Sequence, residues 1–216
     1  MKWPRLIGKP RSQPLQGHWQ SWKKLIADHC DGCCIYCAIP EGRFGGIRNF
    51  HIEHFRPKVK YPQFENDISN LYLACSICNV LKCDDWPADP MPDHSAPGYP
   101  DPTMTDYNSL FSVNPHSYEL ESNTTAGKYL VERILLNRFQ LILERRLDHT
   151  LRASQDILEW LTHTADIMTK SEERELVKLM YAMLQVQTKV ITSRPYQDSD
   201  TKRVSVKKVS NRHSAL

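Results

Sequence analysis

The chain has 216 residues, of which 40% are hydrophobic and 25% are charged, and its formal net charge is +3. This composition is typical of a globular protein, and no run approaches the roughly 18 to 20 apolar residues that span a bilayer. The basic N-terminal segment is not followed by an apolar stretch, so we expect no secretory signal and a cytoplasmic protein without a membrane partner.

Residues 1–29 are predicted to form an N-terminal arm followed by a helix. Prolines at positions 4, 10 and 14 favour an extended arm. Four apolar residues then recur at helical spacing, namely Trp19, Trp22, Leu25 and Ile26. This periodicity predicts a helix that leads into the first cysteines. Core packing is the simplest interpretation of the tryptophans, and stacking on a nucleobase is the alternative.

All seven cysteines lie between residues 30 and 83. An odd number in a chain without an export signal argues against a disulfide framework and favours metal ligation. Two C-x2-C pairs, Cys34–Cys37 and Cys75–Cys78, can supply the four thiolates of a tetrahedral Zn²⁺ site. A site closed by four protein ligands is structural, because it leaves no position for a substrate. Cys30 and Cys33 share the same spacing, so the spacing alone does not decide which cysteine starts the first pair, and the choice of Cys34 and Cys37 depends on the family resemblance described below. Whether Cys30 or Cys33 joins a metal site stays open.

The segment between the two cysteine pairs carries groups suited to hydrolysis of a phosphodiester. Glu53 and His54 lie on a predicted strand from 49 to 55, and Asn79 follows the second cysteine pair directly. A neutral imidazole can take a proton from water at neutral pH. A carboxylate and an amide carbonyl are hard ligands for Mg²⁺ or Mn²⁺. We therefore predict His54 as the base and Glu53 and Asn79 as ligands of a catalytic divalent ion.

These motifs, taken in order, resemble the signature of the HNH endonucleases from about Cys34 to Lys82. The resemblance implies an α+β chain in which a zinc-stabilised ββα-metal module, residues 30–108, precedes a mostly α-helical region. It implies that His54 is the general base, that Glu53 and Asn79 bind the catalytic ion, and that Asn70 orients the loop beside the base. It also implies cleavage of DNA to 5′-phosphate and 3′-hydroxyl ends. Cys83 departs from the family, which commonly has glycine there.

Basic side chains near the predicted base are candidates for contacts with nucleic acid. His51 lies two residues before Glu53 on the same strand face, so it could join the metal site or contact phosphate. Arg56 and Lys58 follow the base and could bind phosphate, and Lys82 is a further candidate contact. An ordinary polar surface is the alternative interpretation of this group.

The rest of the chain divides into three further segments. Residues 84–108 hold six prolines and a run of aspartates. The prolines predict a long loop, and because phosphate repels the aspartates, we expect this loop to lie away from a bound nucleic-acid strand. Helical periodicity starts at Thr125, and we expect the C-terminal half, with a helical region at residues 109–192, to be all-α. Residues 193–216 form a basic tail, expected to be disordered, that could also bind a nucleic-acid backbone.

A weaker resemblance covers the helical region. Asn114–Pro115, the run Leu136-Asn137-Arg138 and the pair Arg145–Arg146 are similar to the extension of HNH proteins in Septu-type and retron anti-phage systems. That resemblance implies an ABC-like ATPase as a protein partner. This chain has no G-x4-GK[ST] segment of its own, so any use of ATP would come from another protein. The same arginines could instead line a nucleic-acid groove or a polar helix face. An RNA- or tRNA-cleaving toxin and a non-catalytic zinc-ribbon binding module are the alternative functions.

Overall fold

The computed structural model describes residues 1–9, 11–164 and 169–192, which form a mixed α+β protein. The predicted basic tail, 193–216, lies outside the described residues. The strands are β1 (Phe50–His54), β2 (Leu71–Cys75), β3 (Ser112–Val113) and β4 (Leu120–Glu121). The helices are α1 (Lys23–His29), α2 (Ser76–Lys82), α3 (Tyr107–Leu110), α4 (Thr125–Arg133), α5 (Phe139–Thr164) and α6 (Lys170–Thr192).

Two antiparallel strands and the helix that follows them form the part of the fold that holds the predicted site. Glu53 of β1 lies opposite Tyr72 of β2, and His54 lies opposite Leu71. Every residue of β2 is buried, because both faces of this strand are covered. Helix α2 begins directly after β2, where the Cys75 side chain accepts a hydrogen bond from the backbone of Cys78. Because β1 pairs with β2 and α2 follows β2 directly, residues of β1 and α2 that are distant in sequence come close together in this unit.

The N-terminal segment packs against this unit, as its helical periodicity predicted. A 3₁₀ turn from Trp19 to Trp22 continues into α1. Trp22 and Ile26 are buried in the core, which confirms the core interpretation for these two residues. Trp19 is only half-buried and lies elsewhere, beside His54.

The proline- and aspartate-rich segment is a loop from residue 83 to residue 106, as expected. Aromatic residues anchor it to the core. Trp86 and Tyr99 are buried, and their rings stack with centroids 6.0 Å apart. The loop therefore has a defined path despite its lack of regular structure.

The expectation of an all-α C-terminal half is wrong for residues 112–121, where β3 and β4 form a small antiparallel hairpin. The Asn114 side chain accepts hydrogen bonds from the backbone of His116 and Ser117, and so shapes the turn. Asn137 fixes the hairpin from outside, because its side chain donates to and accepts from the backbone of Leu120.

Three helices complete the described chain. Thr124 caps α4 by accepting a hydrogen bond from the backbone of Gly127. A break follows, in which Leu135 has a φ of 51°, and α5 starts at Phe139. Helices α5 and α6 pack together, and Gln187 donates a 2.7 Å hydrogen bond to the Ser154 hydroxyl between them. None of the described helices combines the length and the apolar character needed to cross a membrane.

Candidate active site

Four cysteine sulfurs meet in the interior of the protein. The Sγ atoms of Cys34, Cys37, Cys75 and Cys78 all lie within 4.8 Å of one another, and all four residues are buried. Cys37 Sγ and Cys75 Sγ are 3.8 Å apart. Tetrahedral Zn–S bonds of about 2.3 Å would separate the sulfurs by about 3.8 Å. The donor set and its spacing therefore fit a structural metal ion such as zinc.

The structure brings together the four cysteines that the sequence analysis selected and leaves the neighbouring pair outside. Cys30 Sγ accepts a hydrogen bond from the backbone N–H of Leu73, and Cys33 Sγ donates to the carbonyl of Asp31. Arg138 also reaches the cluster, with its Nη2 3.5 Å from Cys78 Sγ. A guanidinium there offsets the negative charge that four thiolates would bring.

An open cleft of about 430 Å³ contains Glu53, His54 and Asn79. It is lined by Trp19, His51, Ile52, Glu53, His54, Pro57, Lys58, Val59, Asn79, Cys83 and Asp84. Glu53 and His54 come from β1, and Asn79 comes from α2. The cleft thus contains a carboxylate, an imidazole and an amide, as well as basic groups at its edge.

Glu53 is held by two partners inside the protein. Its side chain is only 5% exposed, and its Oε1 lies 2.7 Å from Nζ of Lys82, whose side chain is fully buried. The hydroxyl of Tyr36 donates to the same oxygen over 3.2 Å. Burial raises the pKa of Glu53, whereas Lys82 and Tyr36 act to lower it. Lys82 also donates to the carbonyl of His54, so one ammonium group holds both residues.

His54 has a defined ring orientation. Its Nε2 lies 3.0 Å from the backbone carbonyl oxygen of Glu65. Because a carbonyl oxygen can only accept, Nε2 carries the proton in the neutral ring and Nδ1 is the basic nitrogen. Burial lowers the pKa of His54 below its ordinary value. The imidazole is therefore held as a neutral base with one free lone pair.

Asn70 fixes the loop that follows β1. Its Oδ1 accepts from the backbone N–H of Arg56 over 2.7 Å, and its Nδ2 donates to the carbonyls of Arg56 and Phe64. Phe64 directly precedes Glu65, whose carbonyl holds His54. This arrangement suits the orienting role predicted for Asn70.

The predicted nucleic-acid contacts have different surroundings. His51 is exposed at the cleft, and Lys58 is 45% exposed with its Nζ 3.3 Å from Glu65 Oε1. Arg56 is 35% exposed and pairs with Asp89 over 3.3 Å. Lys82, in contrast, has no exposed surface with which to touch a strand. Lys82 lies one turn beyond Asn79 on α2, and its ammonium group contacts Glu53 inside the protein.

Two further expectations change with the structure. The aspartate-rich run does not lie entirely apart from the cleft, because Asp84 lines it. Arg145 does not face a groove for nucleic acid, since it is buried and donates to the carbonyls of Tyr118 and Leu136. Tyr36, Glu65 and Trp19 were not predicted as site residues. Glu65 contacts His54 through its backbone carbonyl, and because every residue has such a carbonyl, the sequence could not predict this contact.

Comparisons with known proteins agree with this part of the structure. Residues 34–85 match the family model of the HNH endonucleases. No curated protein and no solved structure matches the chain. The match covers both cysteine pairs, Glu53, His54, Asn70 and Asn79, and it supports an HNH domain with nuclease activity in general.

Proposed function

We propose that this chain is a metal-dependent endonuclease that hydrolyses phosphodiester bonds of DNA through a ββα-metal site. One observation carries the proposal. Glu53, His54 and Asn79 line the same open cleft, and Asn79 directly follows Cys78 of the buried cluster of four cysteines. A site for hydrolysis needs a base, hard ligands for a cation and a rigid support, and these residues supply all of them.

The proposed chemistry starts at His54. Nδ1 of the imidazole takes a proton from the attacking water, and the Glu65 carbonyl stabilises the resulting imidazolium by accepting from Nε2. Asn70 keeps that carbonyl in place through its bonds to the loop. The water oxygen forms a bond to phosphorus as the bond between phosphorus and the 3′ oxygen breaks, and the departing 3′ oxygen takes a proton from solvent. The products are a 5′-phosphate and a 3′-hydroxyl.

Glu53 and Asn79 would hold the catalytic ion, since carboxylate and amide oxygens suit Mg²⁺ or Mn²⁺. When bound, such an ion would neutralise charge on the phosphate and on the departing 3′ oxygen. Lys82 and Tyr36 fix Glu53 from inside the protein. Lys58 and Arg56, which keep exposed surface, and His51, at the cleft, are the proposed contacts to the strand.

A plasmid-cleavage assay in Mg²⁺ or Mn²⁺ tests the proposal. The wild type should nick or linearise the plasmid, and His54→Ala should lower the rate by about 10²-fold or more, because general base catalysis typically contributes 10²- to 10⁴-fold. His149→Ala is the matched control, since His149 is exposed on α5. Equal cleavage by wild type and His54→Ala would exclude His54 as the base.

A substrate panel separates the alternative functions. Preferential cleavage of RNA or tRNA by the same His54-dependent activity would favour a toxin. Tight binding of nucleic acid without cleavage in any divalent metal would favour a non-catalytic zinc-ribbon module. DNA is the proposed substrate because it is the one that the HNH resemblance implies.

We further propose that the chain acts in an anti-phage complex with an ABC-like ATPase. Apolar side chains on the two long helices support a protein partner, because Leu158, Val177 and Leu184 are each more than half exposed. An ATPase encoded beside this chain should co-elute with it, and Leu158→Glu with Leu184→Glu should abolish the complex. Co-elution that survives both substitutions would assign the partner to another surface.

A further inference from the structure

Trp19 reaches the cleft from outside the segment that matches the HNH family. It lies in the N-terminal 3₁₀ turn, whereas the match begins at residue 34. Its ring centroid is 4.9 Å from that of His54, with the two planes at 79°. This edge-to-face arrangement is a favourable geometry for two aromatic rings.

Trp19 also holds the segment that orients His54. Its indole Nε1–H donates to Oε1 of Glu65 over 3.3 Å, and its backbone N–H donates to Oδ1 of Asn66 over 3.1 Å. The carbonyl of Glu65 in turn accepts from His54. One residue therefore contacts the imidazole directly and also fixes the group that sets its orientation.

The surroundings of the indole favour this role over stacking on a nucleobase. The ammonium group of Lys58 lies over the ring, 4.9 Å from its centroid, and pairs with the same Glu65 oxygen that accepts from the indole. A nucleobase could stack on that face of the indole only after Lys58 had moved. The ring is thus engaged from several sides by the protein itself.

We infer that Trp19 is a positioning residue for His54, which completes the active site with an element outside the HNH domain. The inference rests on the proposed function of His54 as the base. Without the Trp19 ring beside it, the imidazole could rotate away from the Glu65 carbonyl. Nδ1 would then no longer point at the attacking water of the proposed reaction. A small misplacement of this kind can cost about 10²-fold in rate.

Trp19→Leu and Trp19→Phe test the inference, because both keep an apolar side chain but only phenylalanine keeps an aromatic ring. We expect kcat for DNA cleavage to fall by about 10²-fold in Trp19→Leu, with KM within about twofold of the wild type. Trp19→Phe keeps the ring against His54 and the backbone bond to Asn66 but loses the indole bond to Glu65, so its kcat should lie between those of the wild type and Trp19→Leu. Trp22→Leu is the control, since Trp22 is buried in the same segment and does not line the cleft. It should lower stability and leave kcat unchanged.

A second readout does not depend on cleavage. In nitrogen-15 NMR spectra, the His54 Nε2–H proton should be protected from exchange in the wild type and in Trp19→Phe, and lost in Trp19→Leu. An unchanged kcat and an unchanged proton signal in Trp19→Leu would overturn the inference. A raised KM with an unchanged kcat would also overturn it, in favour of a substrate contact. If no form of the protein cuts nucleic acid, the proposed function fails while the NMR signal still decides the role of Trp19.

Discussion

At the scale of single residues, the protonation state of His54 gives a testable consequence. Its pKa in the folded protein is lowered from 6.5, chiefly by burial. Because the proposed base must be neutral, activity should persist below pH 6.5 and decline only as the pH falls through the lowered pKa. A cation held by Glu53 would act in the same direction. The acidic limb of the profile of kcat/KM against pH should therefore have its midpoint below 6.5.

The same shift affects stability. The unfolded chain binds a proton at this histidine more readily than the folded protein does, so the contribution of His54 lowers stability as the pH falls below 6.5.

An acidic midpoint above 6.5 in the profile of kcat/KM against pH would contradict the description of His54 as a buried neutral base. The residual activity of His54→Ala should lack this limb, which provides the control.

Residue types in the motif were enough to single out Glu53, His54, Asn70 and Asn79 as candidates, because each contributes a side chain whose chemistry is specific, and three of them line one cleft. They were not enough for groups that act by position. Glu65 holds His54 through a backbone carbonyl that any residue could supply. Lys82 was predicted as a candidate contact to nucleic acid, yet its ammonium group pairs with Glu53 inside the protein. A charge in the sequence does not tell whether it faces water or a buried partner.

At the scale of elements, the predictions succeeded where a periodic pattern runs over many residues. The long apolar series predicted the regions of α4, α5 and α6, but not the break between Arg133 and Phe139. The hairpin of β3 and β4 escaped detection because each strand has two residues, too few for an alternating pattern. Asn137 and Arg145, which hold that hairpin and the break, could not be distinguished from a polar helix face by sequence alone.

The break before α5 carries a second prediction, because it aims Arg138 at the cysteine cluster. Arg138→Ala should remove a charged partner of Cys78 and lower the free energy of unfolding by about 2 kcal/mol. Urea denaturation, followed by circular dichroism, measures the change. Arg146→Ala, an exposed position on α5, should have little effect. Equal stability of the two variants would show that Arg138 does not stabilise the cluster.

At the scale of the whole molecule, the cysteine cluster joins parts of the chain that are far apart in sequence. One pair follows α1, the other spans the junction of β2 and α2, and Arg138 adds the segment before α5. The cleft lies on the unit that these contacts hold together. Loss of a structural ion should therefore disturb the fold as well as the site, whereas loss of a catalytic ion should stop only the chemistry.

This difference yields a last prediction, in which the two proposed metals are removed separately. Brief treatment with EDTA should abolish cleavage, leave about one zinc per chain by mass spectrometry, and be fully reversed by added Mg²⁺, because the catalytic ion would lie in an open cleft whereas the four thiolates that would hold zinc are buried. Cys34→Ser should instead lose zinc and melt at a lower temperature, and Mg²⁺ should not rescue it. His54→Ala is the control that should keep zinc and fold but cut at least about 10²-fold more slowly than the wild type. If cleavage were lost only as zinc left the protein, and Zn²⁺ alone restored it, a single ion would serve both roles, and the separation between a supporting cysteine site and a catalytic cleft would be wrong.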